Sequence, residues 1–212
     1  MTFNEARQNP LFLTLSESNK KLIPNKDTKF LIWNLPSKIT CPFAAEHCKH
    51  FCYAVKAETA YPTCLPSRMK HLEESQQADF VQRMIFTIEA YLNRPSYRNA
   101  KKIVVRIHES GDFYNQRYAD KWIRIMEHFV YDKRIVFMAY TKSIEFLLNV
   151  PSNAVVRFSV WDDTATKFIQ LAKYNSFPIY TAVDKFTEYS ALGVPPIRDR
   201  IPPVVQSVPL TN

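Results

Sequence analysis

Five short apolar runs, separated by stretches in which apolar residues recur every three or four positions, constrain this chain more than any other feature. The runs occupy 30–35, 102–107, 134–140, 154–160 and 177–182. Each is nearly continuous in apolar residues, as expected of strands covered on both faces. Between them lie helical stripes: Phe80, Met84, Ile88, Tyr91 and Leu92 within 67–93, then Tyr118, Trp122, Ile125 and Phe129, then shorter stretches at 144–149 and 164–173. Pro66 suits the start of the first helix and Pro95 lies beyond its end. Strand and helix in alternation predict βα units and a parallel sheet. The expected fold is α/β, a partial (β/α) TIM-like barrel of about five parallel strands, with an open doubly wound sheet as the alternative. A length of 212 residues suits one domain. Residues 1–29 read as a polar lead-in, 30–193 as the domain carrying the chemistry, and 194–212 as a tail rich in proline (Pro195, Pro196, Pro202, Pro203 and Pro209).

Composition removes several classes. Only two glycines occur, Gly111 and Gly193, which excludes a glycine-rich phosphate cradle. No apolar run is long enough to span a bilayer, and the N-terminal residues lack the layout of a secretory signal, so a cytoplasmic protein with no membrane partner is expected. The net charge of +8 favours anionic partners, nucleic acid among them. The basic residues are dispersed rather than gathered in a block, which is also what an ordinary solvated surface looks like.

All four cysteines, Cys41, Cys48, Cys52 and Cys64, fall within 24 consecutive positions. A cytoplasmic chain seldom keeps disulfides, so crowded thiols there indicate a metal or catalysis. Cys41, Cys48 and Cys52, spaced C-x6-C-x3-C after the first strand, can wrap one side of an iron–sulfur cluster, most simply a [4Fe-4S] cube with one iron left for a small molecule. Cys64 is either a fourth ligand, closing the cluster for structure, electron transfer or sensing, or a small apolar filler. Zinc is the competing metal, with His47 or His50 completing the set, although structural zinc sites commonly use two close-spaced pairs. A zinc-dependent nucleic-acid-binding protein is therefore a further alternative.

In parallel βα proteins the loops after the strands carry the chemistry. Here those loops hold the cysteines, then Glu109-Ser110-Gly111-Asp112, then Tyr140 and Lys142, then Trp161-Asp162-Asp163, then Asp184-Lys185. Gly111 permits a tight or left-handed turn at a strand end. Glu109 and Asp112 are expected to reach across the rim and hold an amine or a cation. Tyr140 and Lys142 are the candidate catalytic residues, to orient a substrate or supply a proton, with an interfacial tyrosine and a surface lysine as the alternative. Trp161 is a candidate stacking wall.

The motifs Asn34-Leu35-Pro36, Thr40-Cys41-Pro42, Cys48, Cys52-Tyr53-Ala54, Arg68, His108 to Phe113 and Ala139 to Ser143 together resemble the phage-associated "gene product eighty-eight" domain family over residues 30–165. That family is similar, at a distance, to radical S-adenosylmethionine enzymes. The resemblance implies a radical-SAM-like partial barrel with a four-iron cluster after the first strand. It also implies S-adenosylmethionine as a cofactor on the open iron, a polar motif at Glu109 to Asp112 contacting its amino group, an electron donor, and residence in the host cytoplasm if the chain is phage-encoded. The C-x6-C-x3-C spacing differs from the C-x3-C-x2-C of radical enzymes.

Overall fold

The computed structural model describes residues 1–19, 22–161 and 163–181. Its elements run α1 (Phe3–Arg7), β1 (Thr28–Trp33), α2 (Glu46–His50), α3 (Tyr53–Ala60), α4 (Cys64–Gln76), α5 (Phe80–Asn93), α6 (Pro95–Arg98), β2 (Lys102–Ile107), α7 (Gln116–His128), β3 (Ile135–Thr141), a 3-10 turn (Ile144–Leu147), β4 (Ala154–Val160), α8 (Thr166–Tyr174) and β5 (Ile179–Thr181). Five strands form one sheet in the order β1-β2-β3-β4-β5, and every neighbouring pair is parallel. A doubly wound sheet reverses its strand order partway along. This sheet does not.

Alternation along each strand sorts its side chains between two faces. Leu31, Trp33, Val105, Ile107, Phe137, Ala139, Phe158 and Val160 join the main core, where α5 and α7 contribute Phe80, Met84, Ile88, Tyr118, Trp122 and Ile125. The other face holds a smaller apolar group of Phe30, Ile32 and Val104, with Leu22 and Met138 against it. Trp33 and Trp122 are fully buried. Removing either from such a packed core would cost about 3–5 kcal/mol.

Two parts of the chain depart from expectation. The lead-in is not peripheral: Leu13 and Leu15 are buried in the main core, the Leu13 N–H donates to Thr87 Oγ1 at 2.8 Å, and Ser16 bridges antiparallel to Ile32. A capping box between Thr2 and Glu5 starts α1. The single helix expected over 67–93 is two, because Gln77 turns extended and α5 begins after Asp79. Lys121 Nζ donates to the carbonyls of Ser75 (2.8 Å) and Gln77 (2.6 Å), placing a cation where the end of α4 leaves acceptors free. Pro66 lies in the first turn of α4, where its missing N–H costs nothing. Among the described residues no helix is long and apolar enough to cross a membrane. The proline-rich tail and Asp184-Lys185 lie outside the described residues.

Candidate functional site

The loop after β1 is anchored before any cysteine is reached. Asn34 Oδ1 accepts the N–H groups of Glu109 (2.7 Å) and Ser110 (3.1 Å), and its carbonyl accepts from His71 Nδ1 at 2.9 Å. The Leu35 N–H donates to the Ser110 carbonyl at 3.0 Å. Asn34-Leu35 thus clamps the turn after β2. That turn is tight: His108 has φ 63° and Gly111 φ 81°. A Cβ on Gly111 would stand 2.5 Å from Thr40 Oγ1 and 2.6 Å from Leu35 Cβ, so glycine is required for space as well as for φ.

Further along, Glu58 from α3 accepts from the Ser37 N–H (2.8 Å), Ser37 Oγ (2.5 Å) and Arg68 Nη1 (2.7 Å). Arg68 also donates to the Ala54 carbonyl at 3.3 Å. Burial opposes ionisation of Glu58, but Ser37 and Arg68 outweigh it and hold the carboxyl below its ordinary range. The loop is stitched to the other rim segments as well. The Tyr53 hydroxyl donates to the Glu109 carbonyl. The His47 N–H donates to Asp163 Oδ2 at 2.9 Å. Phe43 packs on Phe146 and Phe168. Exposed Phe51 lies parallel to Trp161 at 6.3 Å. Trp161 and Asp163 therefore dock the cysteine loop. Asp162 lies outside the described residues.

All four thiols are free and half-buried. Burial pushes the Cys41 thiol up to about 12, with the neighbouring Asp112 and Cys48 adding to the rise and Lys142 opposing it. Cys48 is raised by burial too, with the nearby Lys142 ammonium opposing the rise and Cys52 adding to it. Cys41, Cys48 and Cys52 thus lie within electrostatic reach along one loop, with Lys142 facing them. Cys64 begins α4, and its N–H donates to the Tyr61 carbonyl at 2.9 Å. Among the described residues, no group of three or more His, Cys, Asp or Glu side chains is placed to hold a metal ion.

The other expected site residues divide. Lys142 reaches the thiols, and its Nζ lies 3.5 Å from Ser159 Oγ. Asp112 does not reach across the rim to an external amine. It is buried, its Oδ1 accepts from the Phe113 N–H (2.8 Å) and Thr141 Oγ1 (2.5 Å), and its Oδ2 accepts the Lys142 N–H (2.8 Å). It staples β2 to β3, and burial raises its carboxyl despite those donors. Ser110 is buried, and Glu109 Oε2 faces Asn34 Nδ2 at 3.5 Å. The Tyr140 hydroxyl accepts from Arg157 Nη1 at 2.8 Å, and its ring lies under Arg106 at 4.4 Å and Arg157 at 5.5 Å. The sequence drew attention to Asn34 only as part of a motif, with no role attached, and Glu58, Arg106 and Arg157 were missed. For the two arginines the available signal was a charged residue inside an otherwise apolar strand.

No curated protein and no solved structure matches the chain. A profile described as Gene product 88 matches residues 13–198, from buried Leu13 through every strand of the sheet and every loop on its rim. By that match, the chain belongs to the Gene product 88 family.

Proposed function

We propose that this protein binds an iron–sulfur cluster through Cys41, Cys48 and Cys52, with a [4Fe-4S] cube open at one iron as the form that best suits three ligands. The observation carrying this reading is the set of three free, half-buried thiols that one stitched loop presents beyond the C-terminal end of a parallel sheet, with Lys142 against Cys48. Burial holds Cys41 and Cys48 protonated, and a metal cation that displaces their protons relieves that cost. Ligands of a cube sit at separate corners, farther apart than the donors of a single ion, so thiols spread along a loop suit a cluster better than zinc. Turning the half-buried cysteine side chains inward completes the set. Lys142 then offsets the negative charge of thiolates and sulfides, and Asp112 fixes Lys142 through its backbone.

Sequential parallel strands with helices on one face are the arrangement from which a partial (β/α) barrel is built. With S-adenosylmethionine on the open iron, a reduced cluster would supply one electron to it, and redox enzyme activity of the radical type follows as the fuller form of the proposal.

Anaerobic purification followed by iron and acid-labile sulfide analysis tests the reading. Near-equal iron and sulfide in the parent, lost in each of Cys41→Ala, Cys48→Ala and Cys52→Ala, is the expected result. Zinc in place of iron, or full iron in any of the three variants, defeats the ligand set.

A further inference from the structure

Where the lead-in crosses the helices it leaves a hollow. A cavity of about 410 Å³ lies between the segment from Phe3 to Glu17 and the helices α4 and α5, and no cysteine and no residue of the rim loops lines it. Three cations do: Arg7 at the end of α1, Lys70 on α4 and Arg94 just past α5. One carboxylate, Glu17, stands against them. It is already committed, since both its oxygens accept from Arg94 Nη1 at 2.8 Å and Oε2 accepts from the Tyr97 hydroxyl at 3.0 Å.

Glu17 therefore answers Arg94 and leaves Arg7 and Lys70 to be balanced. Lys70 is 4.0 Å from Glu74, but that carboxylate is nearer to Arg83, at 3.3 Å. Arg7 forms no ion pair among the described residues. Arg7 and Arg94 both act on the Tyr91 phenol, so they attend the same wall. Opposite in character are Phe3, Phe12 and Tyr91, whose ring centroids lie 4.9 to 5.9 Å apart, with the Arg94 guanidinium over Phe3 at 5.1 Å. The Tyr91 hydroxyl is tied to the Leu15 carbonyl at 3.4 Å. A cavity of this volume is in the range of small-molecule sites and larger than a bare ion requires. Its walls carry two positive charges in excess. A phosphate monoester, with a charge of about −1.5 to −2 at pH 7, balances them, whereas a monocarboxylate leaves one unanswered.

We propose that this cavity binds a phosphate monoester of a small organic molecule, with the phosphate between Arg7 and Lys70 and the organic part against the aromatic wall. The ion pair of Arg94 with Glu17 shapes the floor. Arg7 and Lys70 are exposed, so salt screens them and binding weakens as ionic strength rises. The proposal stands whether or not the thiols hold a cluster.

Calorimetric titration of the full-length, anaerobically purified protein tests it, with phenyl phosphate and benzoate in separate runs at fixed ionic strength and chloride as the background. Saturable one-to-one binding of phenyl phosphate, at least fivefold tighter than that of benzoate, is expected. Arg7→Gln and Lys70→Gln should each weaken it at least fivefold at an unaltered Tm, because both side chains are exposed. Lys133→Gln, the same loss of charge at an exposed position outside the cavity, should leave binding intact. No saturable binding, benzoate within fivefold of phenyl phosphate, binding indifferent to the two cavity substitutions, or an equal loss in Lys133→Gln overturns the proposal. Iron measured on the same samples separates the two readings, because phenyl phosphate binding without iron removes only the cluster.

Discussion

The two faces of the sheet have been put to different uses. One is sealed by α5 and α7 against Trp33, Val105, Ile107, Phe137 and Phe158. The other begins with Phe30 and Ile32 but ends with Arg106, Tyr140 and Arg157 under the rim. A folded chain gains stability from the first arrangement and gives some back in the second. That asymmetry is expected where a scaffold supports a site, because buried charge is tolerated at a cost in stability.

The comparison can be broken most severely on the sealed face. Trp33→Ala should destabilise by about 3–5 kcal/mol in chemical denaturation, since it empties a core position and removes the donor that now reaches the Tyr118 hydroxyl at 3.1 Å. A loss below about 1 kcal/mol would mean that this face is not the main source of stability. At the junction of the faces, Gly111→Ala should cost about 1–3 kcal/mol from backbone strain alone, with the contact to Thr40 Oγ1 adding to it. Thermal melting that is unchanged in that variant would show that the turn relaxes.

Acid should act through His108. Burial, with Arg106 adding, lowers its imidazole to about 3. The Tyr118 hydroxyl, which accepts from Trp33, is left to donate to His108 Nε2 at 2.9 Å. Between about 6.5 and 3 the unfolded chain binds a proton that the folded chain refuses, so this contribution is complete above pH 6.5 and falls as pH drops, by roughly 1.4 kcal/mol per unit. His71, also lowered by burial, acts in the same direction. In His108→Asn, a residue that tolerates the positive φ, the slope of stability against pH should shrink; an unaltered slope would assign it elsewhere. The smallest effect is expected on the other face, where Arg106→Met should be neutral or slightly stabilising because it removes a buried cation whose Nη1 has no hydrogen-bond partner among the described residues. Destabilisation by more than about 2 kcal/mol would make Arg106 part of the scaffold and dissolve the contrast.

The strands were legible because an unbroken apolar run is hard to place anywhere but inside a parallel sheet, and the helical stripe from Tyr118 to Phe129 was equally plain. Leu13 and Leu15 were not, since two apolar residues in a polar stretch have no period to announce them. The break between α4 and α5 was hidden too. It depends on Lys121, 44 positions from Gln77, and on no local breaker. At the site, residue type singled out the cysteines and Lys142 as candidates, and the structure places Lys142 within electrostatic reach of Cys41 and Cys48. Asp112 looked like a free acid because nothing in a strand-end turn reveals that Thr141 and Lys142, on the next strand, will occupy it. Arg106 and Arg157 passed unnoticed as interruptions of apolar runs, although their positions in the pleat already put them on one face.

The short bridge between Ser16 and Ile32 has a bearing on solubility. In that bridge the Ile32 N–H donates to the Ser16 carbonyl at 2.7 Å, and the Ser16 N–H to the Ile32 carbonyl at 3.1 Å. β1 ends the row of strands, and its outer flank would otherwise offer unmet amides and carbonyls to any passing chain. A fragment beginning after Ser16 would carry that flank bare, and self-association into aggregates is the fate such a fragment invites.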